Sequence, residues 1–167
     1  MEERLGQLFM VPAYSNELAG NTNEILKLIE KNNIGGILFF QGNPVNQAKL
    51  ANQFQSRSKV PLLMVMDAEY GLAMRLDNTI AYPRQMALGA IQNDSLLEVM
   101  GSDLAEQMKM VGLHVNLAPV VDINVNPNNP VINSRSFSEN KELVADKALR
   151  IMVGLQSENV IATAKHF

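Results

Sequence analysis

Charged residues that could carry chemistry directly follow short apolar stretches of this sequence. Asp67 comes after the stretch 60–66, and Lys165 and His166 come after the small-residue stretch 161–164. Apolar stretches of this length are typical of buried strands, and parallel sheets carry their chemistry at the carboxyl ends of their strands. The sequence therefore predicts that these three side chains lie at one edge of a parallel sheet.

Arg75 lies eight residues after Asp67 in a long loop. A carboxylate at a strand end can accept hydrogen bonds from two sugar hydroxyls, and a nearby arginine can donate to the substrate or hold the carboxylate ionised. The spacing is also compatible with a loop that is closed by its own Asp67–Arg75 salt bridge. Spacing alone leaves both interpretations open.

Arg135 lies in the loop 124–140, which is rich in Asn, Pro and Ser. The loop is too long for a simple connection, which favours a functional role. The Arg135 guanidinium can donate to a substrate carbonyl or carboxylate, or it can pin the loop to Asp122 or to backbone carbonyls. Asp122 itself is interpreted as structural, because its Asn-rich surroundings are typical of turns.

Lys165 and His166 allow two kinds of chemistry. A lysine at the end of a barrel strand can form a Schiff base if burial lowers its pKa, or the pair can donate hydrogen bonds to substrate hydroxyls. His114 opens a strand at the opposite face and is interpreted as a core or surface residue. Two histidines without a second close ligand make a poor metal site, so we expect neither a metal nor another cofactor.

The composition narrows the class of protein. A chain of 167 residues with 47% hydrophobic content can form one domain with a sizeable core. The net charge is −3 and there is no basic cluster, which argues against nucleic acid as a partner. The apolar stretches have the length of strands, so no transmembrane segment is expected. The absence of cysteine excludes disulfides and thiolate metal sites and leaves the compartment open.

Strand and helix patterns alternate along the chain, which predicts a parallel sheet with right-handed crossovers. The predicted strands are 7–11, 34–40, 60–66, 114–120 and a fifth that begins at residue 160. The predicted helices begin near Asn21, at Asn43-Pro44, after Asn93-Asp94 and before Val144. In the third helix, a stripe at every fourth position is expected to face the core; it consists of Leu96, Met100, Leu104 and Met108.

Two architectures fit five strands and four helices. One is an open, flavodoxin-like parallel sheet, and the other is the first part of a TIM-type (β/α)8 barrel, which needs about 250 residues in full. An open nucleotide-binding sheet usually has a glycine-rich turn after its first strand, but residues 12–16 contain no glycine. Polar residues instead follow the last three strands. We therefore predict an α/β fold, a partial TIM-type barrel of about five parallel strands, with the open sheet as the alternative.

Taken together, these stretches resemble the N-terminal barrel of glycoside hydrolase family 3, of the β-N-acetylhexosaminidase type. The order of the matching segments is far more specific than any one of them. The segments are 5–9, 35–39, 67–75, 83–90, 118–122, 135–137 and 164–167. The resemblance implies that residues 1–167 are an incomplete domain of this family.

The resemblance also implies roles for particular residues. The positions that match the sugar-binding residues of the −1 subsite are Asp67, Arg75, Arg135, Lys165 and His166. The usual Asp-Gln-Glu-Gly-Gly-Arg stretch of the family reads Asp-Ala-Glu-Tyr-Gly-Leu here, so the sequence departs from the family at Ala68, Tyr70 and Leu72. Family members use a retaining mechanism with a carboxylate nucleophile and a separate acid/base group. Both groups are expected beyond Phe167, so no catalytic residue is assigned in this chain.

The function that the resemblance implies is removal of terminal β-N-acetylglucosamine by a longer parent protein, from amino sugars such as those derived from peptidoglycan. The isolated chain is expected to be inactive. The alternatives are an aldolase-like barrel that uses Lys165, and a non-catalytic carbohydrate-binding fragment. Open barrel edges favour self-association. A resemblance to long, exported bacterial members with a β-lactamase-like domain implies export, while a cytoplasmic location stays open.

Overall fold

A computed structural model describes residues 2–16 and 21–166 of the chain. The described strands are β1 (Met10–Ala13), β2 (Gly36–Phe39), β3 (Leu63–Met66), β4 (Val115–Asn116) and β5 (Ile161–Ala162). The described helices are α1 (Glu2–Gly6), α2 (Thr22–Asn32), α3 (Pro44–Arg57), α4 (Gln85–Gly89), α5 (Ser95–Met110) and α6 (Lys141–Ser157). Short 3-10 turns cover Leu72–Met74 and Asn133–Arg135. None of the helices in these ranges is both long and apolar enough to cross a membrane.

The strand order decides between the two predicted architectures. The sheet runs β1-β2-β3-β4-β5 in chain order, and each neighbouring pair is parallel. A flavodoxin-like sheet would instead place β1 between β2 and β3. Sequential parallel order is the arrangement of a TIM-type barrel, so the prediction of a partial barrel is confirmed.

The first strand starts later than predicted. Residues 7–9 were expected to open β1, but the strand covers Met10–Ala13, and the side chains of Leu8 and Phe9 are exposed. The amides of Leu8 and Phe9 instead donate to the carbonyls of Leu5 and Gly6, so these residues form a turn that follows α1. Apolar character alone could not distinguish this turn from a strand.

The core lies between the sheet and the helices that cover its outer face. Ile37 and Phe39 of β2 and Met64 and Met66 of β3 are fully buried there. One face of α6 is also buried, and its members are Val144, Ala148, Ile151 and Leu155.

The predicted stripe of α5 is only partly correct. Leu104 and Met108 are buried, but Leu96 is 54% exposed and its neighbour Leu97 is fully buried in its place. A spacing of exactly four residues drifts by about 40° per step around a helix of 3.6 residues per turn. Over the three steps from Leu96 to Met108 the drift is about 120°, so one straight stripe could not keep all members on the core side.

The asparagines at two of the predicted helix starts make different hydrogen bonds from each other. Asn43 caps α3 as predicted, because its side-chain oxygen accepts from the amides of Val45 and Asn46 at 2.9 and 3.3 Å. Asn21 precedes α2, but its side chain makes no cap bond and donates to the Pro12 carbonyl at 2.9 Å. The Asn21 side chain therefore ties the helix to β1 instead of capping it.

Candidate sugar-binding site

The predicted site residues converge at the carboxyl ends of the strands. Asp67 directly follows β3, and Lys165 lies beyond β5, where it pairs with Val120 in an isolated parallel bridge. Arg135 ends the 3-10 turn in the long loop after β4. Because these strands are neighbours in the sheet, residues far apart in sequence meet at one edge.

Asp67 lies between two cations. Its Oδ1 accepts a hydrogen bond from Lys165 Nζ at 2.7 Å, and its Oδ2 accepts one from Arg75 Nη2 at 2.8 Å. Burial raises the pKa of Asp67, but the hydrogen bonds and charges of Lys165 and Arg75 outweigh burial and hold the pKa below its ordinary value. The predicted Asp67–Arg75 salt bridge is therefore present, and it keeps the carboxylate ionised beside Lys165.

Glu69 is a member of the site to which the sequence analysis assigned no role. Its side chain is only 3% exposed. Its two oxygens accept from Arg135 Nη2 and Nε at 2.7 and 2.9 Å, and Lys165 Nζ lies 2.9 Å from Oε1. Burial raises the pKa of Glu69, but hydrogen bonds from Arg135 and Lys165 lower it further than burial raises it. The spacing of Asp67 and Glu69 could have indicated this role, because residues two apart in an extended segment point to the same side.

Arg135 binds a different carboxylate from the one expected. Asp122 or backbone carbonyls were the expected partners, and the guanidinium forms a bidentate pair with Glu69 instead of Asp122. It also donates to the Val131 backbone carbonyl at 3.3 Å, which is one of the expected kinds of contact. The hydrogen bonds to Glu69 raise the pKa of Arg135 above its ordinary value, although burial opposes them. The long loop is thereby attached to the segment after β3.

Asp122 contacts His166, and its backbone carbonyl accepts a hydrogen bond from Ser136 Oγ. Its Oδ2 accepts from the backbone amide of His166 at 3.0 Å and lies 2.7 Å from ring Nδ1. Burial raises the pKa of Asp122, but the two contacts with His166 outweigh burial and lower it. The purely structural interpretation of Asp122 missed this contact, which local turn chemistry does not reveal.

Two buried amide side chains hold the site segments in place. Asn116 accepts from the Ala68 amide at 3.1 Å and donates to the Ala68 carbonyl at 3.3 Å. Gln85 accepts from the Val120 amide at 3.1 Å and donates to the Val120 carbonyl at 2.8 Å. Each side chain replaces the backbone partner that a neighbouring strand would supply, so the segments after β3 and β4 are fixed without regular pairing.

The site is one continuous chain of polar contacts. In order, its members are Arg75, Asp67, Lys165, Glu69, Arg135, His166 and Asp122. Lys165 donates hydrogen bonds to two carboxylates, as an ammonium group does. A Schiff-base nucleophile needs an uncharged amine, so these contacts argue against that role for Lys165. Within residues 2–16 and 21–166, no group of three or more His, Cys, Asp or Glu is placed to hold a metal ion.

His114 lies away from this site, at the start of β4. Its side chain is exposed, and its ring Nδ1 accepts from the Met64 amide at 3.1 Å. It is therefore a surface residue that helps to join β3 and β4, which is one of the two roles predicted for it.

Curated proteins of known name have sequences similar to this chain. Beta-hexosaminidase A of Pseudoalteromonas piscicida is 35% identical over 157 residues, which cover 86% of this chain and 26% of that protein. A beta-N-acetylglucosaminidase/beta-glucosidase of Cellulomonas fimi is 26% identical over 99% of this chain and 29% of its own length. The chain thus spans between a quarter and a third of these two curated relatives.

Solved structures give the same result. The glycoside hydrolase family 3 beta-N-acetylglucosaminidase from Paenibacillus sp. str. FPU-7 superimposes with a TM-score of 0.89 and 34% identity, over 100% of this chain and 33% of that one. The family described as "Glycosyl hydrolase family 3 N terminal domain" matches residues 1–167. The predicted resemblance is confirmed, and the chain belongs to glycoside hydrolase family 3.

Proposed function

We propose that this chain supplies the sugar-binding part of a retaining β-N-acetylglucosaminidase, whose substrate carries a terminal β-linked N-acetylglucosamine. The observation that carries the proposal is the ionised Asp67 held between Lys165 and Arg75 at the carboxyl end of β3. The relatives named as β-N-acetylglucosaminidases support the choice of sugar. We also propose that the substrates are amino sugars derived from peptidoglycan.

The polar groups have capacity left for a sugar. A carboxylate has about four lone-pair directions, and each Asp67 oxygen uses one for a cation. Each oxygen can therefore accept one hydroxyl proton from a sugar. The Lys165 ammonium has three donors and uses two of them on carboxylates, so the third can donate to a sugar oxygen. Asp67, Arg75, Arg135, Lys165 and His166 are the residues we propose to bind the sugar.

The reacting groups of the hydrolase are proposed to lie outside residues 1–167, which we regard as an incomplete family-3 domain. A general acid needs a carboxyl whose pKa is raised toward neutrality. The pKa values of Asp67, Glu69 and Asp122 are all lowered, and each carboxylate is paired. The chain spans 26% and 29% of two curated relatives, which agrees with reacting groups that lie elsewhere in a longer protein.

We also propose that the isolated chain self-associates through its open sheet edges. In the described part of the chain, β1 pairs only with β2, and β5 pairs only with β4. Met10 of β1 and Ile161 of β5 expose apolar surface on these two edge strands. Unpaired strand edges next to apolar surface favour association. Light scattering tests this, and a chain that stays monomeric at high concentration contradicts it.

The proposed activity is tested with an aryl β-N-acetylglucosaminide. The longer parent protein should release the aryl group, and the isolated chain should not, because it lacks the proposed nucleophile. In the parent, Asp67→Asn should lower kcat/KM by about a hundredfold or more, since a charged hydrogen-bond acceptor is lost. Glu106→Gln, on the exposed face of α5, is the matched control. Turnover by the isolated chain, or full activity of Asp67→Asn, overturns the proposal.

A further inference from the structure

We propose that Asp122 is a positioning residue that fixes His166 as the tautomer with its proton on Nδ1, so that Nε2 faces the substrate as a hydrogen-bond acceptor. The inference rests on the proposed function only for the identity of the sugar. The tautomer follows from the contacts of this chain and can be measured without a ligand.

The Nδ1 side of the His166 ring faces Asp122. Asp122 Oδ2 lies 2.7 Å from His166 Nδ1, and the same oxygen accepts from the His166 backbone amide at 3.0 Å. An ionised carboxylate only accepts hydrogen bonds, so the proton must be on Nδ1. Asp122 is itself fixed, because its carbonyl accepts from Ser136 Oγ at 2.6 Å. The carboxylate therefore meets the ring and the backbone of His166 at once.

The Nε2 side of the His166 ring faces Arg135. Arg135 Nη2 lies 3.4 Å from His166 Nε2. A guanidinium only donates, so Nε2 must present its lone pair, which agrees with a proton on Nδ1. The charged groups around the ring are thus Asp122 on one side and Arg135, with its partner Glu69, on the other. The shorter contact is with Asp122, which makes Asp122 the main determinant of the tautomer.

The consequence is a selective site for hydroxyl groups. The His166 side chain is 44% exposed, so its ring is accessible to a ligand. The contact between Nε2 and Arg135 is long, and a hydroxyl placed beside the pair, within hydrogen-bond distance of both nitrogens, could accept from Arg135 and donate to Nε2. A substrate without that hydroxyl would form neither hydrogen bond, so the pair favours substrates that carry it.

The ring nitrogens can be observed directly by long-range 1H–15N NMR of the labelled chain at pH 8. The chain has only two histidines, so the spectrum is simple. His114 is an internal control with the opposite tautomer, because its Nδ1 accepts from the Met64 amide and its proton must be on Nε2. We expect a protonated Nδ1 in His166 and a protonated Nε2 in His114. A neutral His166 with its proton on Nε2 overturns the inference.

Variants of Asp122 separate positioning from folding. Asp122→Ala removes the acceptor and should convert His166 to a mixture of tautomers, whereas Asp122→Asn keeps an oxygen acceptor and should preserve the tautomer. Asp146→Asn, on the exposed face of α6, is the matched control. An unchanged His114 signal in each variant shows that the sheet is intact. An unchanged His166 tautomer in Asp122→Ala overturns the role of Asp122.

Titration with N-acetylglucosamine connects the tautomer to binding. Asp122→Ala should bind about five- to tenfold more weakly than the wild type, the effect of misplacing one hydrogen-bond partner. Asp122→Asn should recover most of the affinity, and equal affinity in Asp122→Ala contradicts the inference. If the wild type binds no N-acetylglucosamine, the proposed function fails, while the tautomer measurement still decides the role of Asp122.

Discussion

Replacing Glu69 with alanine removes the carboxylate that Arg135 and Lys165 share. Glu69 is 3% exposed, and it receives two hydrogen bonds from Arg135 and one contact from Lys165. Without it, two largely buried cations lose a partner. Breaking a buried ion pair by removing one member costs about 3–5 kcal/mol. Because the Arg135 and Lys165 side chains retain some contact with solvent, we expect the lower limit, about 3 kcal/mol.

Urea unfolding measures this loss. With a dependence of about 2 kcal/mol per molar urea, a loss of 3 kcal/mol lowers the midpoint by about 1.5 M. Glu69→Gln should lose less, because the amide oxygen still accepts one hydrogen bond. Glu106→Gln is the surface control and should stay within about 0.5 kcal/mol of the wild type. A midpoint for Glu69→Ala that equals the wild-type value would refute the claim that Glu69 joins the segments after β3 and β4.

Three further predictions use the same unfolding assay. Gly154→Ala should destabilise the chain by about 2 kcal/mol, because a Cβ there would lie 2.1 Å from the Glu98 carbonyl oxygen where α5 and α6 cross; unchanged stability would contradict so close a crossing. Asn43→Ala should cost about 1 kcal/mol through loss of the α3 cap, and Asn43→Gly much less. The lowered pKa of Asp67 contributes stability that is present above its unfolded pKa of about 3.9 and is lost as the pH falls through its lower folded value. Acidification to pH 3 should therefore destabilise the wild type more than Asp67→Asn, and equal losses would count against the ion pairs of Asp67.

The fold could be predicted because its signals are local. Strand-sized apolar stretches alternate with capped helices, and the Asn43-Pro44 start appears in the structure as expected. The boundaries of β1 could not be predicted in this way, because a turn of exposed apolar residues looks like a strand in sequence. The stripe of α5 failed for a geometric reason, since four-residue steps do not follow a helix of 3.6 residues per turn.

The sequence could predict that these charged residues meet, and it offered the Asp67–Arg75 pair, but it could not predict the presence of Glu69 or the partner of Arg135. The carboxyl ends of parallel strands lie at the same end of the sheet, which brings Asp67 after β3 and Lys165 after β5 together. The two residues are 98 positions apart, and β4 lies between their strands. Which carboxylate each cation chooses depends on the loop conformations, and no local pattern encodes it. Arg135 therefore pairs with Glu69, 66 positions away, rather than with Asp122, which lies just before the loop of Arg135. The supporting amides Asn116 and Gln85 were missed for the same reason.

The central claim is that Asp67, held by Lys165 and Arg75, binds a sugar. The most direct measurement is titration of the chain with N-acetylglucosamine, followed by NMR, in the wild type and in Asp67→Asn. Circular dichroism confirms that both are folded, and Glu106→Gln serves as the control. We predict saturable binding by the wild type and by Glu106→Gln, and binding at least tenfold weaker by Asp67→Asn. Equal affinity of the wild type and Asp67→Asn, or no binding by the folded wild type, would contradict the claim.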